Sequence, residues 1–295
     1  MAERYPSAVK AVCVDTASKR GRARKHSRLP AMSVFADLVR YRELYATLFR
    51  RDFQSKYKGS LLGVAWSLAN PLVLMLVYYV VFSVLWKATN IDNYPLFLLS
   101  GLATWVFFSQ ALQASTRSMI DNAQLIRKTR FPRQLLPFSV VGTHLITLCV
   151  MLAVLVPLNI VLLPRTRETA LLALPVMLLV VALTAGLSLA LASLNVLYRD
   201  IEHLVSSLLL PWFFLTPILY TVDSLPQAKT HPHLMQVLHY VNFIGPAVDA
   251  VRDPLFWGKL PNLGDMLYLI VAALIALTLG AFLFRRLDDR IAVEL

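Results

Sequence analysis

Charge is scarce in this chain and is missing altogether from long stretches. Only 16% of its 295 residues are Asp, Glu, Lys or Arg, while 57% are hydrophobic. From Leu61 to Trp86, a run of 26 residues, there is no Asp, Glu, Lys, Arg or His. As a helix rising 1.5 Å per residue, that run extends about 39 Å, more than a bilayer core of about 30 Å. A soluble domain of this length is excluded. Cysteine is nearly absent too. Cys13 lies in a basic tail and Cys149 in a hydrophobic run, so no disulfide is expected and Cys149 reads as a small core residue. Residues 1–58 contain no apolar signal-peptide core, so the first span is expected to serve as its own uncleaved targeting signal.

Further absences narrow the chemistry. No G-x-x-x-x-G-K-[ST] phosphate loop occurs, so the chain is not expected to hydrolyse nucleotide itself. No Ser/His/Asp or Cys/His constellation points to catalysis. His144 is the only ionisable residue within the predicted spans and reads as a hydrogen bonder between helices, which disfavours proton or sodium coupling. No ring of charge or carbonyl-filter pattern suggests an ion channel. His231, His233 and His239 have no cysteine cluster beside them, so no metal site is predicted. Gly59 and Gly63 match the G-x-x-x-G packing pattern, a weak signal on its own.

The hydrophobic runs predict an all-α integral membrane protein with six spans, at about 61–86, 96–116, 134–163, 170–197, 204–222 and 266–284. Pro137 and Pro157 are expected to mark the useful ends of the third run, and Pro211 with Pro217 to kink the fifth. Loop 164–169 is short enough to make its flanking helices antiparallel neighbours. The long loop 223–265 holds two apolar stretches too short to cross, separated by Gly245–Pro246, and these are read as re-entrant or surface-lying helices.

Three segments follow: a disordered basic tail at 1–32, an amphipathic interfacial helix and linker at 33–58, and a six-span membrane region at 59–295. Val34, Leu38, Tyr41, Tyr45 and Leu48 recur three and four apart and give the 33–58 segment one apolar stripe. Of the 29 Lys and Arg, 23 fall in segments on one side of the predicted topology and six on the other. The positive-inside bias then puts both termini in the cytoplasm. The excess of basic over acidic residues, 29 against 17, belongs to these membrane flanks, and no nucleic-acid-binding pattern accompanies it.

The aromatic residues Trp66, Tyr79, Phe82, Trp105, Phe107, Phe108, Phe213 and Phe214 fall within the predicted spans. They either line a path suited to sugar faces or pack as belt and core, and the sequence leaves both readings open. Asp200 and Glu202, beside Arg199 and His203, read as a salt-bridged loop.

Several motifs resemble those of the type-2 ABC-transporter permeases that export polysaccharides and polyol phosphates such as O-antigen, teichoic acid and galactan. They are RDFQSKYKGSLLGVAWSLANPL at 51–72, NAQLIRKTRFPRQLLP at 122–137, LNVLYRDIEHLV at 194–205 and TPILY at 216–220. The likeness runs in order over about residues 33–290. One departure is Asn242-Phe-Ile-Gly245-Pro246, where the family usually has Asn-Pro.

The resemblance implies a permease of the bacterial inner membrane. It would work as a homodimer with two copies of a separate ABC ATPase, which binds ATP and Mg, and would itself hold no cofactor. The substrate would be a polymer on a polyprenyl diphosphate. Ile120, Leu125, Ile126, Arg127, Lys128, Arg130 and Phe131 would form the ATPase-coupling loop. Arg50, Arg51, Lys56, Tyr57 and Lys58 would stand at the substrate mouth, where their cations attract either the diphosphate or membrane lipid. Two other classes remain open: a polyprenyl-dependent glycosyltransferase, which would need Asp200, Glu202 or Asp223, and a permease for drugs or small lipids.

Overall fold

The computed structural model describes residues 33–58, 63–85, 91–129, 131–222 and 232–294. The predicted tail at 1–32, Arg130, Asp223 and His231 lie outside these residues. The elements are α1 (Ser33–Arg40), α2 (Arg42–Tyr57), α3 (Trp66–Tyr79, continued by a π-helical turn Val80–Leu85), α4 (Tyr94–Asp121), α5 (Ala123–Lys128), α6 (Leu135–Leu162), α7 (Ala173–Leu197), α8 (Asp200–Leu215), α9 (Pro232–Val241), α10 (Gly245–Arg252, continued by a π-helical turn Asp253–Trp257) and α11 (Leu263–Glu294). Every described element is helical.

Five helices are long and apolar enough to cross a membrane: Leu68–Leu85, Tyr94–Asp121, Leu135–Leu162, Ala170–Leu197 and Leu263–Ile291. The predicted fifth span at 204–222 takes another form. Its helix, α8, covers 16 residues and stops at Leu215, two residues before Pro217. At 1.5 Å per residue that is about 24 Å, short of a bilayer core. Proline lacks an N–H and restricts the residue before it, so the helix ends there. Pro157, by contrast, sits inside α6 and does not end it. Membrane helices tolerate proline where neighbours re-satisfy the backbone.

α4 is the central helix, packed between α6 and α7 and touching α3, α8 and α10. Its apolar window is 78% buried, against 6% for the first of the five spans. Small residues bring α7 and α11 together. A Cβ on Gly186 would overlap the Ala276–Leu277 peptide, and one on Gly280 would overlap the Gly186 carbonyl. Such close backbone approach is how helices associate where lipid removes the hydrophobic drive. Cys149 is exposed rather than a core residue. It stands with Ala153, Pro157 and Val161 on one outward stripe of α6.

The segment after α8 is non-helical, yet the carbonyls from Phe214 to Leu219 all accept hydrogen bonds. Tyr220 Oη donates to the carbonyls of Phe214 and Leu215 at 3.3 and 3.4 Å, and Asn242 Nδ2 also reaches Leu215 O at 3.2 Å. The carbonyl of Thr216 accepts from the Ile218 N–H at 2.7 Å. Arg252 donates through Nη1 to Pro217 O at 2.6 Å and through Nη2 to Ile218 O at 3.0 Å. Tyr94 Oη donates to Leu219 O at 2.7 Å. Arg252 is 1% exposed, its guanidinium lies 3.8 Å from the Phe97 ring centroid, and its Nη1 is 3.4 Å from Asp249. Gly101 leaves the space for it, because a Cβ there would overlap the guanidinium. Burial pulls the Arg252 pKa down to about 10, against which Asp249, Asp253 and Tyr94 pull it up, and it stays a cation at neutral pH.

Beside this clamp, His239 Nε2 is 3.0 Å from Asp265 and its Nδ1 3.8 Å from Asp249. Burial lowers the His239 pKa, but the hydrogen bond to Asp265 and the charges of Asp265 and Asp249 outweigh it, so the net direction is upward. Burial raises Asp249 to about 6 against the opposing pull of Arg252 and His239, and it raises Asp253 as well.

Replacing Arg252 with Met should cost about 3–5 kcal/mol, because it strands two carbonyls and a carboxylate in the interior. Arg252→Lys should recover only part, having no planar fork. Thermal unfolding of the purified protein followed by fluorescence measures both.

The titrating groups set a pH dependence. Both His239 and Asp249 bind their proton more tightly when folded. Their stabilisation is complete below their unfolded values, and it is lost as pH rises through about 6 for Asp249 and through the raised value for His239. Unfolding temperatures should therefore fall between pH 5 and pH 8, and His239→Gln should flatten the upper part of that fall.

Candidate functional site

At the end of the bundle that carries α2 and α5, three helices present polar stripes to one cleft. On α4 the stripe is Gln110, Gln113, Arg117 and Asp121, three and four residues apart on a helix otherwise buried in apolar packing. On α6 it is Thr143, His144 and Thr147, and on α2 it is Arg51, Asp52, Ser55 and Lys56. The cleft has three chambers of about 590, 340 and 270 Å³, all touching Lys56. Glu202 of α8 closes the second, and Trp66 with Asn70 walls the third.

Two features of α2 place its charges there. Tyr45, Phe49, Phe53 and Tyr57 recur every four residues and stack along the helix with centroid separations of 6.3, 6.3 and 4.9 Å. This ladder lies against α6, where Gly142 makes room for Tyr45 and Phe49. The stripe that includes Leu38, Tyr41, Tyr45 and Leu48 thus packs on the chain's own helices, with Leu135 and Leu136 among its partners. Polar contacts then pin α2 to α6. Ser139 Oγ donates to Asp52 at 2.7 Å, Lys56 Nζ is 3.4 Å from His144 Nδ1, and Tyr57 Oη is 3.2 Å from Thr147 Oγ1.

The structure gathers Arg51, Lys56, Tyr57 and Trp66 at this cleft, while Arg50 and Lys58 are exposed and stand outside its walls. The other aromatic candidates divide. Trp105, Phe107, Phe108 and Phe213 are at most 6% exposed. The rings of Trp105, Phe108 and Phe213 meet one another, Trp212 and Phe243, and Phe107 is buried in the same core, so in this conformation the four offer no surface to a path. Tyr79 and Phe82 are half-buried against that core, and Phe214 is 52% exposed on the outside of α8. Arg117, Gln110, Gln113 and Asn70 were not anticipated. The i, i+3 spacing of Gln110 and Gln113 inside the second span, continued at i+7 by Arg117 just past its end, was the signal that could have found those three.

The predicted coupling segment forms α5, six residues long, capped by the turn at Asn122. Its apolar residues face inward. Leu125, Ile126 and Phe131 pack with Leu48, Leu135 and Leu136, and Ile120 packs beside Met119 and Phe138. Gln124, Arg127 and Lys128 are exposed. Arg133, just beyond, is tied to Asp288 of α11 at 2.7 Å.

The sequence pattern of the ABC-2 type transporter matches residues 43–256, from α2 to the turn after α10. The chain belongs to the ABC-2 type transporter family. With its five long apolar helices, this ABC-2 protein is a multi-pass membrane protein. It is 31% identical over 256 residues to the O-antigen export system permease protein RfbA of Myxococcus xanthus, covering 87% of this chain and 96% of that one. A protein of the same name from Klebsiella pneumoniae is 32% identical over 255 residues, covering 85% and 94%. The polysialic acid transport protein KpsM of Escherichia coli is 22% identical over 249 residues, covering 82% and 92%.

Water access separates wall from core in this ABC-2 transporter. In a background lacking Cys13 and Cys149, cysteines at Lys56, Gln110 and Arg117 should react with a membrane-impermeant maleimide in open membrane fragments. A cysteine at Phe107 should stay unlabelled until the protein is unfolded.

Proposed function

We propose that this chain is the membrane subunit of an ATP-driven exporter that moves a polyprenyl-diphosphate-linked polysaccharide or polyol phosphate out of the cytoplasm. The observation that carries the reading is the family match combined with export permeases that align over nearly their whole length. The polar cleft supports it, since its cations, amides and Trp66 are groups suited to a phosphate beside a sugar. In this reading the α2–α5 end faces the cytoplasm of the bacterial inner membrane, as the basic residues there favour, and both termini lie on that side. α8 with the clamped 216–220 segment then serves as a sixth, interrupted crossing, and α9 and α10 as re-entrant helices on the outer face.

Energy comes from a separate ATPase that holds ATP and Mg. It docks on α5, whose outward surface of Gln124, Arg127 and Lys128 suits a partner carrying carboxylates. Because Arg133 ties the α5–α6 junction to α11 and Leu125 and Ile126 seat α5 on α2 and α6, a push on α5 reaches three helices at once. Two copies of the chain enclose the pathway. The face of α3 made by Leu72, Val73, Leu76, Val77 and Val80 is bare in a single chain and is available for that contact.

Proteoliposomes holding this chain and its cognate ATPase should move lipid-linked glycan only with hydrolysable ATP. Arg127→Glu combined with Lys128→Glu should reduce transport and glycan-stimulated hydrolysis about tenfold or more, through charge reversal at the docking face, while leaving the fold intact. Movement of glycan without ATP, or none with it, would discard the reading.

A further inference from the structure

The charges lining the cleft come in equal numbers. Among the described residues the cations are Arg51, Lys56 and Arg117, and the carboxylates are Asp52, Asp121 and Glu202. The pairs differ in how firmly they are held. Asp52 is gripped twice, by Arg51 at 2.7 Å and by Ser139 Oγ at 2.7 Å. Glu202 is held at its carboxylate by Arg117 alone among the described residues, at 3.1 Å, and the two side chains are 27% and 54% exposed. A pair so wetted contributes little to stability and exchanges readily with other ions.

Behind that loose pair the backbone is rigid. The buried Asn195 accepts the Glu202 N–H at its Oδ1, 3.0 Å away, and donates from Nδ2 to the carbonyl of Thr116, also at 3.0 Å. Thr116 is the neighbour of Arg117. One amide therefore fixes the start of α8 against α4, and only the two charged side chains are free to trade partners. Lys56 shares their chamber of about 340 Å³ with His144, Gln110 and Gln113. Its ammonium faces the Nδ1 of His144 at 3.4 Å, a nitrogen that accepts a hydrogen bond without supplying a countercharge. A guanidinium fork fits a phosphate as well as a carboxylate, and a diphosphate brings more charge than one glutamate.

We propose that Arg117 and Lys56 are the ligands of a diphosphate site in this cleft, and that Glu202 is its built-in occupant, holding Arg117 until the diphosphate of a polyprenyl-linked substrate displaces it. The identity of the ligand rests on the export reading above, while the residues rest on the ion pairs. The exchange takes place one helical turn before Asp121, at the junction with α5. Glu202 is thus a specificity residue: a ligand with too little negative charge does not free Arg117.

The test uses the full chain with its ATPase in nanodiscs and radiolabelled farnesyl diphosphate as probe. Wild-type protein should bind it in a salt-sensitive way. Arg117→Gln should weaken binding about tenfold or more, as loss of a charged hydrogen bond does, and Arg117→Lys should weaken it less. Glu202→Gln should tighten binding about two- to fivefold by removing the competing carboxylate, and should have no effect once Arg117 is Gln. A structural ion pair would not give that opposite sign. Binding unchanged by Arg117→Gln, or weakened by Glu202→Gln, overturns the proposal. Farnesyl monophosphate binding equally well would also overturn it, as would loss of binding on adding phosphatidylglycerol, which would mark a lipid headgroup site. Competition by inorganic pyrophosphate supports a site for the diphosphate head itself. Glycan transport measured on the same variants separates the two claims. If transport runs while neither variant alters binding, the site falls and the export reading stands. If transport is absent while the binding order holds, the reverse follows.

Discussion

A helix that breaks inside an apolar bundle must still satisfy every backbone carbonyl it releases, because lipid provides no water to do so. Arg252 meets that constraint here. Its fork reaches the carbonyls of Pro217 and Ile218, the two that follow the break after α8, while Tyr94, Tyr220 and Asn242 take their neighbours. Because the arginine belongs to α10 and passes Gly101 of α4 to reach them, one side chain fixes three elements relative to each other. The buried charge is made tolerable by Asp249 and the face of Phe97.

The two ends of the bundle use charge in contrasting ways. Around Arg252 the charged groups are buried or partly buried and multiply bonded, an arrangement that holds a shape. Around Lys56 and Arg117 they line open chambers, and some meet a single partner. The first pattern suits a closure and the second a place where a charged ligand is exchanged. Trp105, Phe108, Trp212 and Phe213 pack together in the core of the single chain.

Much of the fold was legible in the sequence, and the exceptions have physical causes. Pro211 lies inside α8 without ending it, but the long apolar helices and the end of α8 before Pro217 followed from local composition. Burial did not. In water an apolar residue points inward, but a membrane helix is apolar on both faces, so Cys149 could not be told from Leu148 by pattern. The same ambiguity left Phe107 and Phe108 open between path and core. The apolar stripe of α2 reads equally as a face for lipid or for a neighbouring helix. In the structure Leu135, Leu136 and Gly142 of α6 lie against it. Of the five predicted mouth residues, Arg51, Lys56 and Tyr57 line the cleft, whereas Gln110 lies inside an apolar span and Arg117 just past its end, where no local charge cluster marks them as wall.

The sequence by itself determined which long segments are apolar enough for a membrane, that the helix before Pro217 is short, and which flank carries the cations. Each of these follows from transfer free energies and backbone limits that add up residue by residue along the chain. Only the tertiary structure decided which polar groups meet. Arg252 finds carbonyls 34 and 35 positions away, and Lys56 finds His144 at a separation of 88. Those pairings depend on how helices pack, which is set by glycines such as Gly101, Gly142 and Gly186 at the crossings and leaves no local pattern in the residues that are paired.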